Sequence, residues 1–485
     1  MNRIPTFAIA GDPNVGKSTI VATLAERDDV AISNRAGTTR NATHYTSELD
    51  GRTVLDFIDL PGFENTAYLS KWLQDHENTN AELTEVFLQT HQASPHYKPE
   101  CEILQSLKGA AVILVVDASR PVQQKDRDQA SILRQFSESR LAIINLKQQE
   151  SDSHEDQVIL EDWNRMLSKH FTVKHFNPFD ANFVGRMKLL TAISHIMPEW
   201  ENDMNAVIKA YRDDWDRRLE EVAENICTLI ENVMSIKVST TQSKGRKTAE
   251  NEVKAKVEKA VRKAESHFRK NIQQIFKHNN SHWNLAEHHM LNQDLFSEEV
   301  WRMLGLNKQQ LITASTIAGA VAGGGIDVLV GGASFGMAAA IGAGLGLAGG
   351  LAATGIENAI QIKIPGTFAK LKIQPDTKSE AQVSSTSNLI WILLDRALIY
   401  IQACSTWSHG KQSESINDLT SDHPIGISSQ WKDADRKRIT HWLTYLRNGD
   451  KKEHATRQEV SNFLIETSKK ITSPTAPHSP PLTPH

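Results

Sequence analysis

Two rhythms of apolar residues divide this chain. Up to about residue 198 the apolar positions come in short runs, "TFAIAG", "VLDFIDLPG", "AAVILVVDAS", "RLAIIN" and "TVKHF", with amphipathic stretches between most of them. Such runs predict buried strands, and their alternation with helical stretches predicts a largely parallel sheet covered on both faces. From residue 199 the spacing changes to three and four. Met204, Ile208, Tyr211, Trp215, Leu219, Val222, Ile226, Leu229 and Val233 form one stripe, which predicts a helix of about nine turns. Val253, Val257, Val261, Phe268 and Ile272 form a second stripe, on a helix from about Ala249 to Phe276. Further on come a Gly/Ala-rich stretch, a β-like run "IQIKIPGTFAKLKI", and an apolar helical pattern "NLIWILLDRALIYIQA". The closing "TSPTAPHSPPLTPH" has no means of forming a core and reads as disordered.

This organisation predicts an α/β domain over 1–198 and a mainly α-helical C-terminal domain. The latter divides into a helical region with a basic helix (199–312), a Gly/Ala-rich apolar hairpin (313–361), an α+β or helical region (362–470) and the tail (471–485). A chain of 485 residues has ample length for two or three domains. The net charge is only -4, so any electrostatic footprint must be local. The strongest local bias lies between Lys244 and Lys277, where eleven Lys or Arg face four Glu. That helix admits three readings: a solvated face, attraction to anionic lipid, or contact with RNA. Cys101, Cys227 and Cys404 are far apart and show neither zinc spacing nor a disulfide framework, as expected in a reducing, cytoplasmic setting. Met1–Ala10 leads straight into a glycine-rich loop and reads as a first strand, not a signal peptide.

The sharpest chemistry is "GDPNVGKST", Gly11 to Thr19, between a strand and a helix. The pattern Gly-x4-Gly-Lys-Ser/Thr in that setting marks a phosphate-binding P-loop. Its glycines let backbone N–H groups curl around phosphates, and the following helix N-terminus favours their charge. Gly11, Asn14, Val15, Gly16, Lys17, Ser18 and Thr19 therefore form the candidate cradle. Lys17 would reach the β- and γ-phosphates, and Ser18 would ligate Mg²⁺. In "RAGTTR", Arg35 to Arg40, a threonine can complete the Mg²⁺ shell and sense the γ-phosphate; Thr39 is favoured over Thr38. In "DLPG", Asp59 would hold Mg²⁺ through water and the Gly62 N–H would meet the γ-phosphate. Segments ordered only while that phosphate is present are where a nucleotide switch is stored.

Together "GDPNVGKST", "GTTR" and "DLPG" resemble the Era and TrmE branch of Ras-like P-loop GTPases over roughly the first 180 residues. The remainder, with "GRMKLL", "GGGIDVLVGGASFG" and "LLDRALIY", is similar to a bacterial family that joins such a GTPase to a C-terminal domain of unknown function. The resemblance implies binding of GTP and GDP, with Mg²⁺-dependent hydrolysis to GDP and phosphate. Two departures stand out. The base-specificity motif of this branch is Asn-Lys-x-Asp, whereas here Asn145-Leu146-Lys147-Gln148 displaces the lysine and lacks the aspartate. Glu150 and Asp152 are near in sequence, and "NPFDA", Asn177 to Ala181, is a poor match to the segment that backs the base. GTP over ATP therefore rests on the resemblance. The second departure is Phe63, where Ras-type enzymes carry a water-orienting glutamine. Hydrolysis is then slow unaided, or another group takes part. An asparagine at the position of Asn14 helps hold a potassium ion in the relatives; the alternative is that Asn14 only shapes the loop.

From Ala314 to Ile356 the only ionisable residue is Asp327, and thirteen residues are glycine. Gly319/Gly323, Gly332/Gly336, Gly342/Gly346 and Gly346/Gly350 repeat the small-xxx-small spacing that lets helices approach closely. Length permits spanning a bilayer, although Gly and Ala contribute little insertion energy. A buried soluble hairpin and membrane association at the inner membrane both remain open, and the stretch could also support self-association. Three outputs compete: a switch at the inner membrane through 314–356 and 244–277, a soluble RNA or ribosome assembly factor, and a nucleotide-binding scaffold with little hydrolysis. Elsewhere, His278, His282, His288 and His289 in "HNNSHWNLAEHHM" read as a solvated helix end, and Asp395-Arg396 as a paired charge at a domain contact.

Overall fold

A computed structural model describes residues 4–30, 32, 41–76, 82–145, 154–178, 182–196, 198–240, 246–278, 291–297, 300, 359–364, 367–372, 379–385, 387–409, 426–448 and 453–473. The N-terminal part runs β1 (Thr6–Ala10), α1 (Lys17–Ala25), β2 (Thr43–Leu49), β3 (Arg52–Asp59), α2 (Thr66–Asp75), α3 (Leu83–His91), α4 (Lys98–Ser106), β4 (Ala111–Asp117), α5 (Gln124–Phe136), β5 (Arg140–Asn145), α6 (His154–Leu167), β6 (Thr172–Phe176) and α7 (Phe183–Ser194). Its six strands lie in the order β2-β3-β1-β4-β5-β6. All pairs are parallel except β2–β3, which is antiparallel. The β2–β3 connection is Asp50-Gly51, both at positive φ (50° and 70°), as a two-residue type I′ hairpin requires. Alternation along β1 sends Phe7 and Ile9 to one face and Ala8 and Ala10 to the other. α1 and α7 cover the first face, whereas α2 to α6 cover the second. This is a mainly parallel α/β sheet covered by helices on both faces, as the alternation predicts.

The second part holds α8 (Glu201–Met234), β7 (Lys237–Thr240), α9 (Arg246–Ile275), β8 (Ala359–Ile364), β9 (Thr367–Lys372), β10 (Ser379–Ser385), α10 (Ser387–Thr406), α11 (Asp433–Asn448) and α12 (Glu453–Thr472). It is mostly helical. The β-like run becomes the hairpin β8–β9, and a four-stranded antiparallel sheet β7-β10-β9-β8 forms around it. The stripe on α8 serves two cores. Met204, Val207, Ile208 and Tyr211 belong to the core of the first sheet, and Val222 to Val233 to that of the helical part. One continuous helix therefore joins the two, so their relative placement rests on a rigid element.

Among the described residues one helix, α10, is long and apolar enough to cross a membrane, and 83% of its 18-residue window is buried inside the protein. Its two charges are not paired with each other, contrary to expectation. The Asp395 carboxylate accepts from the Ser428 N–H (2.7 Å) and hydroxyl (2.9 Å), whereas Arg396 donates to Glu265 (2.8 Å). Neighbours on a helix point about 100° apart, so each meets a different wall of the core. The Gly/Ala stretch 314–356, with Asp327, and residues 474–485 of the tail lie outside the described residues.

Candidate nucleotide site

β1 delivers the chain to the P-loop at the C-terminal edge of the sheet, next to the ends of β3, β4 and β5. Asn14 (φ 64°) and Gly16 (φ 98°) both take left-handed backbone, which turns the loop back onto α1. Gly16 has a second constraint: a Cβ there would collide with the Asn145 amide nitrogen. That amide donates to the Val15 carbonyl at 2.8 Å, tying the end of β5 to the loop. Lys17 is buried, and its ammonium donates to the carbonyls of Gly11 (3.0 Å) and Asp12 (2.9 Å). Burial lowers its pKa from the usual lysine value, against the pull of Asp59 and Asp12.

Ser18 and Asp59, 41 residues apart, meet directly: the Ser18 hydroxyl donates to the Asp59 carboxylate at 2.6 Å. Asp59 ends β3, and "LPG" carries the chain from it across the P-loop. Gly62 packs so closely there that a Cβ would lie 2.7 Å from the Pro13 ring. Phe63 then turns away into the core with Leu60, Leu69 and Trp72. Of the expected site residues, Gly11, Asn14, Val15, Gly16, Lys17, Ser18, Thr19, Asp59, Gly62 and Asn145 are gathered around one loop. Thr39 and Lys147 lie outside the described residues, as do Gln148, Glu150 and Asp152.

Three contacts here carry no signal in the sequence pattern. Glu100, fully buried on α4, accepts from the backbone N–H groups of Glu64 (2.9 Å) and Asn65 (2.6 Å), just past Gly62. Glu102, two residues on, accepts from the Ala42 N–H at 3.1 Å, just past "RAGTTR". The long segment between Gly62 and β4 thus clamps the ends of both candidate switch segments with one helix. The third contact surrounds Asp12 in the loop: Gln129, Arg120 and Lys125 all reach its carboxylate.

Residues 164–466 match the family described as "Domain of unknown function (DUF3482)", and residues 6–147 match that described as "50S ribosome-binding GTPase". GTPase Der of Rhodopirellula baltica is 30% identical over 173 residues, covering 36% of this chain and 32% of that protein. GTPase Era of Ureaplasma parvum is 25% identical over 191 residues, covering 39% of this chain and 54% of that protein. The chain thus spans about a third of the Der relative and about half of the Era one. Among solved structures, Era in complex with MgGDPNP and nucleotides 1506–1542 of 16S ribosomal RNA matches with 14% identity and a TM-score of 0.29, covering 56% of this chain and 89% of that one.

Proposed function

Because the chain belongs to the DUF3482 family and carries that region behind a GTPase fold, we propose that it is a Mg²⁺-dependent GTP hydrolase whose nucleotide state repositions the helical part. One observation carries the reading: Ser18 and Asp59 converge at 2.6 Å beside the buried Lys17. Two hard oxygen donors suit Mg²⁺, which is held by few protein oxygens and by substrate phosphates. When bound, the ion neutralises charge on the β- and γ-phosphates. In this reading Lys17 leaves the loop carbonyls for those phosphates, and Gly11, Asn14, Val15, Gly16 and Thr19 cradle them. Thr39 and the Gly62 N–H sense the γ-phosphate, Thr39 also completing the Mg²⁺ shell; Asn145 and Lys147 serve the base. Phe63 is committed to the core, so it orients no water and unaided turnover is slow. Asn14, exposed on left-handed backbone, is the position for a potassium ion that would stabilise developing charge.

Steady-state turnover of GTP and ATP, with Lys17→Ala as control, tests this. The expected result is Mg²⁺-dependent release of phosphate from GTP that collapses in the variant. Equal turnover of the variant and the wild type would sink the hydrolase reading, and nucleotide binding without turnover would leave a scaffold. Equal rates in KCl and NaCl would remove the potassium role.

The output proposed is an anionic surface at the cytoplasmic face of the inner membrane. On α9, Lys259, Lys263 and Lys270 are exposed, fall within about 40° of one another around the helix, and have no ion-pair partner among the described residues. Each lysine near an acidic bilayer adds about 1 kcal/mol of attraction. The competing output is RNA or the ribosome, which the description "50S ribosome-binding GTPase" favours. Carbonate-resistant membrane retention supports the first, whereas RNase-sensitive co-sedimentation with ribosomes supports the second.

A further inference from the structure

The end of α1 remote from the P-loop meets the helical part in a second buried cluster. α1 and α9 both stop there on left-handed, non-glycine residues, Glu26 (φ 53°) and Lys277 (φ 62°). After α9 the N–H of Lys277 bonds Gln274 and that of His278 bonds Gln273, the paired pattern of a Schellman cap. That cap turns His278 inward instead of leaving it on a solvated helix end, and it is only 3% exposed. His409, just past α10, is 8% exposed and stacks on it with ring centroids 4.3 Å apart. Both rings face Asp28, three residues past α1. His409 Nδ1 lies 2.5 Å and His278 Nδ1 3.7 Å from the same Asp28 oxygen.

We propose that Asp28, His278 and His409 form a transition-metal site of the Zn²⁺ class, which staples the nucleotide domain to the helical part. One ligand atom from each residue lies within 4.8 Å of the others. Tetrahedral Zn²⁺ with bonds near 2.0–2.1 Å separates its ligand atoms by roughly 3.3 Å. The two spacings to Asp28 straddle that value, and the third, between the two histidine nitrogens, is within 4.8 Å, so rotation of the rings would close the trio onto an ion. Two imidazoles and a carboxylate are also the right donor types, since three protein ligands with an open fourth position recur around Zn²⁺.

The surroundings orient these donors. His278 Nε2 contacts the Cys404 carbonyl oxygen at 3.0 Å, and a carbonyl only accepts. The proton must therefore be on Nε2, leaving the Nδ1 lone pair toward Asp28, the arrangement by which ligating histidines are held. The adjacent cations are already engaged: Arg186, Arg218 and Lys277 converge on Glu26, and Arg218 also pairs with Asp214. A small crevice with room for about one water molecule lies beside Glu26, Trp215, His278 and His409, a place for a fourth ligand. Ligation through His409 Nδ1 would require the proton it now shares with Asp28 to sit on Nε2 instead, the tautomer a neutral imidazole ligand adopts.

The full chain, freed of metal with chelator and held in excess Mg²⁺ to fill hard-oxygen sites, is titrated with Co²⁺ and then Zn²⁺. The expected result is one equivalent of Co²⁺ with intense tetrahedral visible bands, displaced by Zn²⁺, and a melting temperature raised by Zn²⁺. His409→Gln and Asp28→Asn should each weaken binding at least tenfold, whereas the exposed His441→Gln should not. Absence of a stoichiometric Co²⁺ spectrum from the wild-type chain overturns the proposal whether or not the variants fold. Binding that persists in both variants overturns it too, and leaves the trio a hydrogen-bonded domain contact.

Discussion

At the start of α1 a buried lysine is held by backbone carbonyls within six residues, whereas nine residues later a buried glutamate is held by cations from α7, α8 and the cap after α9. Lys17 is served by Gly11 and Asp12. Glu26, nine residues on, meets Arg186, Arg218 and Lys277. Burial opposes the charge on Glu26, yet those three cations hold its carboxyl well below the usual carboxylate range. The first end can change partners when a phosphate arrives, because carbonyls are neutral and interchangeable. The second end cannot lose a partner without leaving bare charge in the interior. α1 is only about 13 Å long, so a ligand-responsive end and a locked end share one rigid rod. In the proposed switch, the locked end is what converts events at the phosphates into movement of the helical part.

The sharpest way to break this contrast is Glu26→Gln, which takes the shared carboxylate from Arg186, Arg218 and Lys277 and leaves Arg218 with Asp214. Losing one partner of a buried ion pair costs about 3–5 kcal/mol. Urea unfolding of the full chain should show a loss of that order, and a loss under about 1 kcal/mol would deny the locked end. Lys17→Ala should do the converse. GTP turnover should fall about a hundredfold or more, while unfolding free energy moves much less than in Glu26→Gln, since the Lys17 ammonium donates to neutral backbone carbonyls. Glu100→Gln comes next. Weakening a charged acceptor of two backbone N–H groups costs about 1.5–3 kcal/mol, and amide exchange at Glu64 and Asn65 should accelerate.

Asp395 sharpens the comparison from the opposite side. Burial lifts its carboxyl to about 6, only partly offset by the Ser428 hydrogen bonds. Here the folded pKa is the higher one, so the native state binds more protons than the unfolded state between about 4 and 6. Stability is fully present below the unfolded value and falls as pH rises through the folded one, by at most about 1.4 kcal/mol per pH unit. Asp395→Asn should flatten that segment of the stability–pH curve. An unchanged slope would mean that another group sets it.

What could be read without coordinates was whatever the chain encodes contiguously. The P-loop lies within nine residues, Asp50-Gly51 carries its turn type in its own backbone needs, and the stripe on α8 repeats at helical spacing over its whole length. The clamps from Glu100 and Glu102 had no such signal, because a glutamate on an amphipathic helix looks the same whether it faces water or a backbone N–H. His278 is hidden for the same reason: a polar run such as "HNNSHWN" suggests solvent until another helix end closes over it. Asp28 and His409, 381 residues apart, share no local pattern at all.

The phosphate loop, the alternating α/β order and the long helices are therefore local properties of the chain, since each follows from spacing or backbone conformation within a few turns. Which charges are buried together is set by long-range packing: Glu26 with its three cations, Asp28 with its two histidines, and Asp395 apart from Arg396. Burial depends on what packs against a residue from far along the chain, and desolvation then turns an ordinary surface residue type into a locked ion pair, a candidate ligand or a raised acid.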